Sequence, residues 1–267
     1  MLLWRLLNDS LRDVNIATRD LSYHDLDTPL TGQFCWNDGE ERPRPGILLI
    51  HGGAGLDAHA REQACRYAAL GYAVLACDMF GDGIAGDKER VMACLLALRD
   101  DPDLLVRRGQ AGLAALAGCP EVAEPTAAVG FCFGGMAALA LARAGTNLPG
   151  PGLAGPGLAG PGLAAVVSIH GSLATSAPAR PGAVTARILA CHGAADPHVP
   201  PADVAAFAAE MNHAGADWQL VMYGRAQHGF THQHAVPGAV PGVAYDRLAD
   251  ERSFAAVRAF LAEALAP

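Results

Sequence analysis

The chain has 267 residues, 51% hydrophobic and 17% charged, which is enough apolar surface to cover both faces of a sizeable sheet and excludes a disordered chain. Its 19 Lys and Arg against 27 Asp and Glu leave a formal charge of −8 with no basic run, so nucleic acid is not an expected partner. The opening MLLWRLLNDSLRD is broken by Arg5, Asp9 and Arg12, too short an apolar stretch for export or for spanning a bilayer, so no membrane partner and a cytoplasmic location are expected.

Residues 14–36 hold two short β-prone pieces, around Thr28-Pro29 and Thr31-Gly32, that read as an antiparallel lead-in hairpin. Beyond them the pattern changes to short apolar runs at 47–50, 73–77, 127–129, 165–169, 187–191 and 219–223, the signature of strands buried on both faces. Helix-prone segments at about 59–70, 88–117, 134–144, 201–214 and 246–265 alternate with them. Such alternation predicts an α/β fold with a mostly parallel twisted sheet and helices on both faces.

No break in charge or composition divides the series, so residues 1–267 read as a single domain. Within it, 146–163 carries Pro151-Gly-Leu-Ala-Gly, Pro156-Gly-Leu-Ala-Gly and Pro161-Gly-Leu-Ala-Ala, near-copies of one five-residue unit. The period excludes collagen, and Pro and Gly punctuate rather than build elements, so a loop expansion is expected. The seven cysteines (35, 65, 77, 94, 119, 132 and 191) are odd in number and form no C-x-x-C pair. They read as reduced thiols, most of them small buried hydrophobes.

One cysteine stands apart. In Val129-Gly-Phe-Cys-Phe-Gly-Gly-Met136 a strand enters a helix through G-x-C-x-G, a sharp turn that holds its central side chain above the sheet. Gly130 and Gly134 flank Cys132 where a Cβ would meet neighbouring backbone, and Gly135 lets the helix approach the sheet. After later strands come Asp196, in His192-Gly-Ala-Ala-Asp-Pro-His-Val-Pro200, and His228, in Gln227-His-Gly-Phe230. The order nucleophile, acid, histidine is that of a nucleophile elbow, and all three fall at carboxyl ends of strands, where open α/β sheets form their sites.

These three motifs together resemble the dienelactone hydrolase family, cysteine-dependent members of the α/β-hydrolase fold, and the likeness runs from about residue 14 to the last helix. The resemblance implies a cysteine-dependent hydrolase of small activated esters or enol lactones, working through a thioester acyl-enzyme without cofactor or metal. It implies Cys132, Asp196 and His228 as the catalytic residues. Backbone N–H groups of Phe133 and of Gly53, in the His51-Gly-Gly-Ala-Gly55 loop, are the expected oxyanion hole. The small ester or lactone is the expected partner; whether the protein is a monomer or a homodimer is left open. Members of the family resemble one another in a Glu in the loop after the first buried strand and in an Arg after the next strand. Here Gly52 and Asp82 stand in those places, which separates dienelactone itself from the expected substrates.

Other readings compete. His192, His198, His228, His232 and His234 could suggest a metal, but no H-E-x-x-H pattern exists and Gly229 and Thr231 disfavour a helix there. Asp78 and Asp82 follow a strand yet precede the nucleophile, and His51 reads as a backbone-bonding residue of its loop rather than a second base. Arg61 and Arg225 are the alternative cations for an acidic substrate. A general carboxylesterase unrelated to dienelactone, or a degenerate hydrolase that only binds a small molecule, is the alternative function. A thiolate at an electropositive elbow should stand out from the other thiols by its reactivity.

Overall fold

The computed structural model describes residues 14–84, 86–145, 162–236 and 238–266. The repeat at 146–163 lies outside them except for Gly162 and Leu163.

The lead-in is a hairpin of β1 (Ile16–Asp25) and β2 (Thr28–Asn37), paired from Asp25↔Thr28 to Ile16↔Asn37. The two pieces expected at 28–29 and 31–32 are one strand, and the turn falls earlier, at Leu26-Asp27. Leu26 has φ 52°, the positive φ that two-residue hairpin loops need to match strand twist, here without the Asn or Gly that marks them.

The remaining strands are β3 (Arg44–Ile50), β4 (Ala73–Cys77), β5 (Val122–Phe131), β6 (Leu163–Ile169), β7 (Arg187–Gly193) and β8 (Trp218–Tyr223). They complete an eight-stranded sheet in the order β1-β2-β4-β3-β5-β6-β7-β8. β2 pairs antiparallel with β4, and β3 to β8 run parallel. The chain moves outward from β3 to β4 and then returns to the other side of β3 as β5. The order therefore reverses beside β3, and the crevice at the carboxyl ends of β3 and β5 is the place where such sheets bind ligands.

The helices are α1 (Ala58–Ala68), α2 (Lys88–Asp100), α3 (Pro102–Ala117), α4 (Phe133–Ala144), α5 (Pro201–Ala214) and α6 (Arg247–Ala264). The segment expected as one helix at 88–117 is two. Pro102 disfavours helical backbone at the residue before it, and Asp101 takes φ −123° and ψ 93°, closing α2 while its carboxylate accepts from Leu104 N–H to open α3. Asp57, Asp87 and Asp246 cap α1, α2 and α6 in the same way. Alternate residues of the strands feed two cores. Leu48 and Ile50 of β3 pack under α2 to α5, whereas Ile47 and Leu49 pack under α1 and α6. β8 was expected to be buried on both faces, but it is the sheet edge, and Gln219 and Met222 are exposed. Among the described residues no helix is long and apolar enough to cross a membrane.

Candidate active site

Close approach of backbone to backbone builds the turn between β5 and α4. A Cβ on Gly130 would lie 1.9 Å from the Gly134 carbonyl oxygen, and one on Gly134 would lie 2.1 Å from that of Ile50. A Cβ on Gly135 would meet Ser168 Oγ at 2.7 Å. Cys132 itself sits at φ 53° and ψ −116° as the residue preceding α4, a conformation that costs about 1–3 kcal/mol and persists only where surrounding structure enforces it. It lifts the side chain off the sheet at the positive end of a helix.

Two loops from farther along the sheet meet that side chain. His228 follows β8 and is held by backbone bonds from its N–H to Gly242 O and from Ala244 N–H to its carbonyl. Its Nε2 lies 2.9 Å from Cys132 Sγ, and its Nδ1 lies 2.8 Å from Asp196 Oδ2. Asp196 follows β7, and its other oxygen accepts from His198 N–H at 2.8 Å. The structure thus brings together the three side chains that the sequence placed at separate strand ends.

Burial opposes ionisation of the Cys132 thiol. The hydrogen bond and charge of His228, then backbone N–H groups of Gly53 and Phe133 directed at the sulfur, outweigh it and hold the thiol below its ordinary range. Burial also works against a charged His228, but its bonds to Asp196 and Cys132 raise the imidazole to about 10. Asp196, although buried, is kept below the usual carboxylate range by His228. Both shifts favour a thiolate–imidazolium pair, with two backbone N–H donors directed at the sulfur. That arrangement can attack an electrophilic carbon, stabilise the resulting oxyanion and return a proton to a leaving group.

The neighbouring candidates fall elsewhere. His51 is fully buried; its Nδ1–H donates to Gly52 O at 2.7 Å and its Nε2 accepts from Met79 N–H at 3.1 Å, so both ring nitrogens are occupied by backbone. Asp78 accepts from the N–H groups of Phe80 and Gly81, shaping the loop after β4. Asp82 is exposed. Arg61 is half-buried on α1, and Arg225 lines a surface cavity with Arg252 and Asp246. His198 stands edge-on to His228 with its Nε2–H on Pro241 O, His232 pairs with Asp57, and exposed His234 pairs with Glu62. Among the described residues no cluster of three or more His, Cys, Asp or Glu side chains could hold a metal ion. Sequence reasoning passed over one residue in contact with the elbow, His170, whose Nδ1 accepts from Cys132 N–H at 3.1 Å. It too follows a strand end, β6, the signal that found the others.

A profile of the dienelactone hydrolase family matches residues 35–265. The chain is similar to the dienelactone hydrolase-like promiscuous phosphotriesterase P91 from metagenomic libraries, at 35% identity and a TM-score of 0.81, over 94% of this chain and 99% of that one. It is 35% identical to an uncharacterized protein of Caenorhabditis elegans over 60% of this chain and 93% of the relative. Esterase 2 of Thermogutta terrifontis, at 21% identity, shares the fold with a TM-score of 0.62 over 94% of this chain and 96% of its own.

Proposed function

The chain belongs to the dienelactone hydrolase family, and from that premise we propose that it hydrolyses small activated esters or enol lactones through a thioester formed on Cys132. One observation carries the reading: sulfur, imidazole and carboxylate in line, at 2.9 and 2.8 Å, on a strained turn at the crevice where the strand order reverses.

The Cys132 thiolate attacks the carbonyl carbon, a C–S bond forms, and the oxygen takes the negative charge between the N–H groups of Phe133 and Gly53. Collapse breaks the C–O bond, and the departing oxygen takes the Nε2 proton of His228, leaving a thioester. The thiolate was one of the two charges that held this proton on the ring, so in the thioester the neutral imidazole is the favoured form. It accepts a proton from water, the hydroxide adds to the thioester, and the C–S bond breaks to release acid and restore the thiolate–imidazolium pair. Asp196 holds the Nδ1–H tautomer throughout.

Sulfur also selects the substrate. At the tetrahedral stage the better leaving group departs, and a thiolate leaves more readily than an ordinary alkoxide. Turnover therefore favours phenolate and enolate leaving groups over alkyl ones.

The test compares p-nitrophenyl acetate with ethyl acetate. The aryl ester is expected to be turned over at least about 100-fold faster in kcat/KM, a barrier difference of about 2.7 kcal/mol. Cys132→Ala and His228→Ala should abolish turnover, and an acid quench should trap an acetyl group on Cys132 by mass spectrometry. Equal or faster use of the alkyl ester, or no acyl adduct during turnover, overturns the proposal. Because the P91 relative is a promiscuous phosphotriesterase, diethyl p-nitrophenyl phosphate belongs in the same panel, and so do aryl esters with and without a carboxylate.

A further inference from the structure

We propose that His170 is a positioning residue for both the nucleophile and the base, holding the Cys132 amide through Nδ1 and the His228 ring through an edge-to-face contact of the two rings. The proposal rests on the reading of Cys132 and His228 given above and adds a residue to it.

The placement of His170 is itself unusual. It follows β6 with φ 42°, a backbone conformation that L side chains rarely adopt and that glycine would take without strain. A side chain retained there is best explained by what it contacts. The ring is buried, and its nitrogens are both partnered. Cys132 N–H lies 3.0 Å from Ile169 O and 3.1 Å from His170 Nδ1, a shared bond at the one residue whose strained backbone aims the sulfur. Nε2 lies 2.9 Å from Thr231 Oγ1, which lies 3.3 Å from His59 Nε2.

These contacts fix the tautomer of His170. An amide N–H can only donate, so His170 Nδ1 accepts and the ring proton sits on Nε2. That proton is donated to Thr231 Oγ1, which is also in contact with His59 Nε2. His59 in turn stacks on His232 with ring centroids 4.7 Å apart, and His232 pairs with Asp57 at 3.4 Å. The ionisable groups facing His170 are therefore Cys132 from the elbow, His228 and His232 from the loop after β8, and His59 from α1. Burial and the His228 charge keep His170 neutral. A proton on its Nδ1 would oppose the Cys132 N–H and add a second positive charge beside His228, whose ring lies 5.5 Å away edge-on. The ring thus fixes the relative position of nucleophile and base.

Three variants test this. His170→Asn tolerates positive φ and puts an acceptor oxygen near the place of Nδ1, His170→Leu removes the acceptor, and Thr231→Val removes the partner of the Nε2 proton. The readouts are kcat and KM for p-nitrophenyl acetate and the pH titration of the Cys132 thiolate by ultraviolet absorbance, with Cys132→Ala as the blank. Displacing a reacting group by about 1 Å costs on the order of 100-fold, so His170→Leu should lower kcat about 30- to 100-fold with KM within about twofold. Its thiolate midpoint should rise by about one pH unit as the Sγ–Nε2 contact loosens. His170→Asn should recover kcat to within about fivefold and restore the midpoint, and Thr231→Val should fall between the two. A folded His170→Leu protein with the parental midpoint and kcat overturns the proposal. So does an Asn variant as impaired as Leu with an unmoved midpoint. If the Leu variant does not fold, the Asn and Thr231→Val proteins decide by the same criteria. The titration needs no substrate, so it judges His170 even if the ester reading fails.

Discussion

Cys132 and His228 share a proton across 2.9 Å, and each sets the protonation of the other. Ester turnover should rise with pH through the lowered Cys132 ionisation and fall as pH passes about 10, where His228 loses the proton owed to the leaving group. A second cysteine is also held below the ordinary thiol range. Cys65 Sγ lies 3.7 Å from Cys35 Sγ, and that contact holds Cys65 down to about 7 despite burial while Cys35 is pushed up. Burial also raises Cys77, Cys191 and Cys119. Iodoacetamide is therefore expected to label Cys132 and Cys65 ahead of those four, which peptide mapping over a pH series will resolve. In His228→Ala the Cys132 rate near neutral pH should drop about tenfold or more as its midpoint returns toward the free-thiol range, with Cys65 unchanged. An unchanged Cys132 rate would mean that the imidazole does not hold the thiolate.

Elements were legible in the sequence where local sterics or periodicity dictate them, and illegible where distant partners do. The elbow could be read because Gly130 and Gly134 have one physical reason for their spacing, and the inner strands because residues buried on both faces must be apolar. Strand β8 could not be read as an edge, since nothing in Gln219–Tyr223 says that no neighbour follows. The split at Asp101-Pro102 was readable from proline's effect on the residue before it and was passed over, whereas the Leu26 turn carries no Gly or Asn to mark it. His170 meets Cys132 only after β6 is laid beside β5, a contact that no local pattern encodes. The steric account of the elbow predicts a contrast between two glycines of the same site. A Cβ on Gly130 would lie 1.9 Å from backbone, but one on Gly52 would find Cys132 Cβ at 3.7 Å and Phe131 O at 3.8 Å, ordinary contacts. Gly130→Ala should cost about 3 kcal/mol or more, and Gly52→Ala should stay within about 1 kcal/mol, both by urea unfolding. Comparable losses at the two positions would remove the steric explanation.

At the scale of the whole molecule, the lead-in hairpin stands apart from the rest. The family match begins at residue 35, near the end of β2, and sequence could place the hairpin but not say what fastens it. Besides the pairing of β2 with β4, it is fastened by Asp25, buried at the end of β1, whose two oxygens accept from Arg107 Nε and Arg108 Nε of α3, each at 2.8 Å. Arg108 also donates to Met79 O, and Met79 N–H donates to His51 Nε2, so the anchor reaches the loop that carries Gly53. Although burial alone would raise the Asp25 carboxyl, the two guanidiniums hold it below its ordinary range. A carboxylate depressed in the folded state contributes stability that is present above its unfolded value and lost as pH falls through the folded one. Removing it leaves buried Arg108 without a counter-charge, whereas half-exposed Arg107 can turn to water. Asp25→Ala should therefore cost about 3 kcal/mol, the lower end for breaking a buried pair, read as a lower urea midpoint at neutral pH. The difference from the parent protein should shrink as pH falls below the carboxylate range, where the parent loses the same charge. In the folded fraction Cys132 should keep its alkylation rate, because Met79 still donates to His51. A stability loss that persists unchanged at low pH would assign Asp25 a packing role and leave the ion pair without energetic weight.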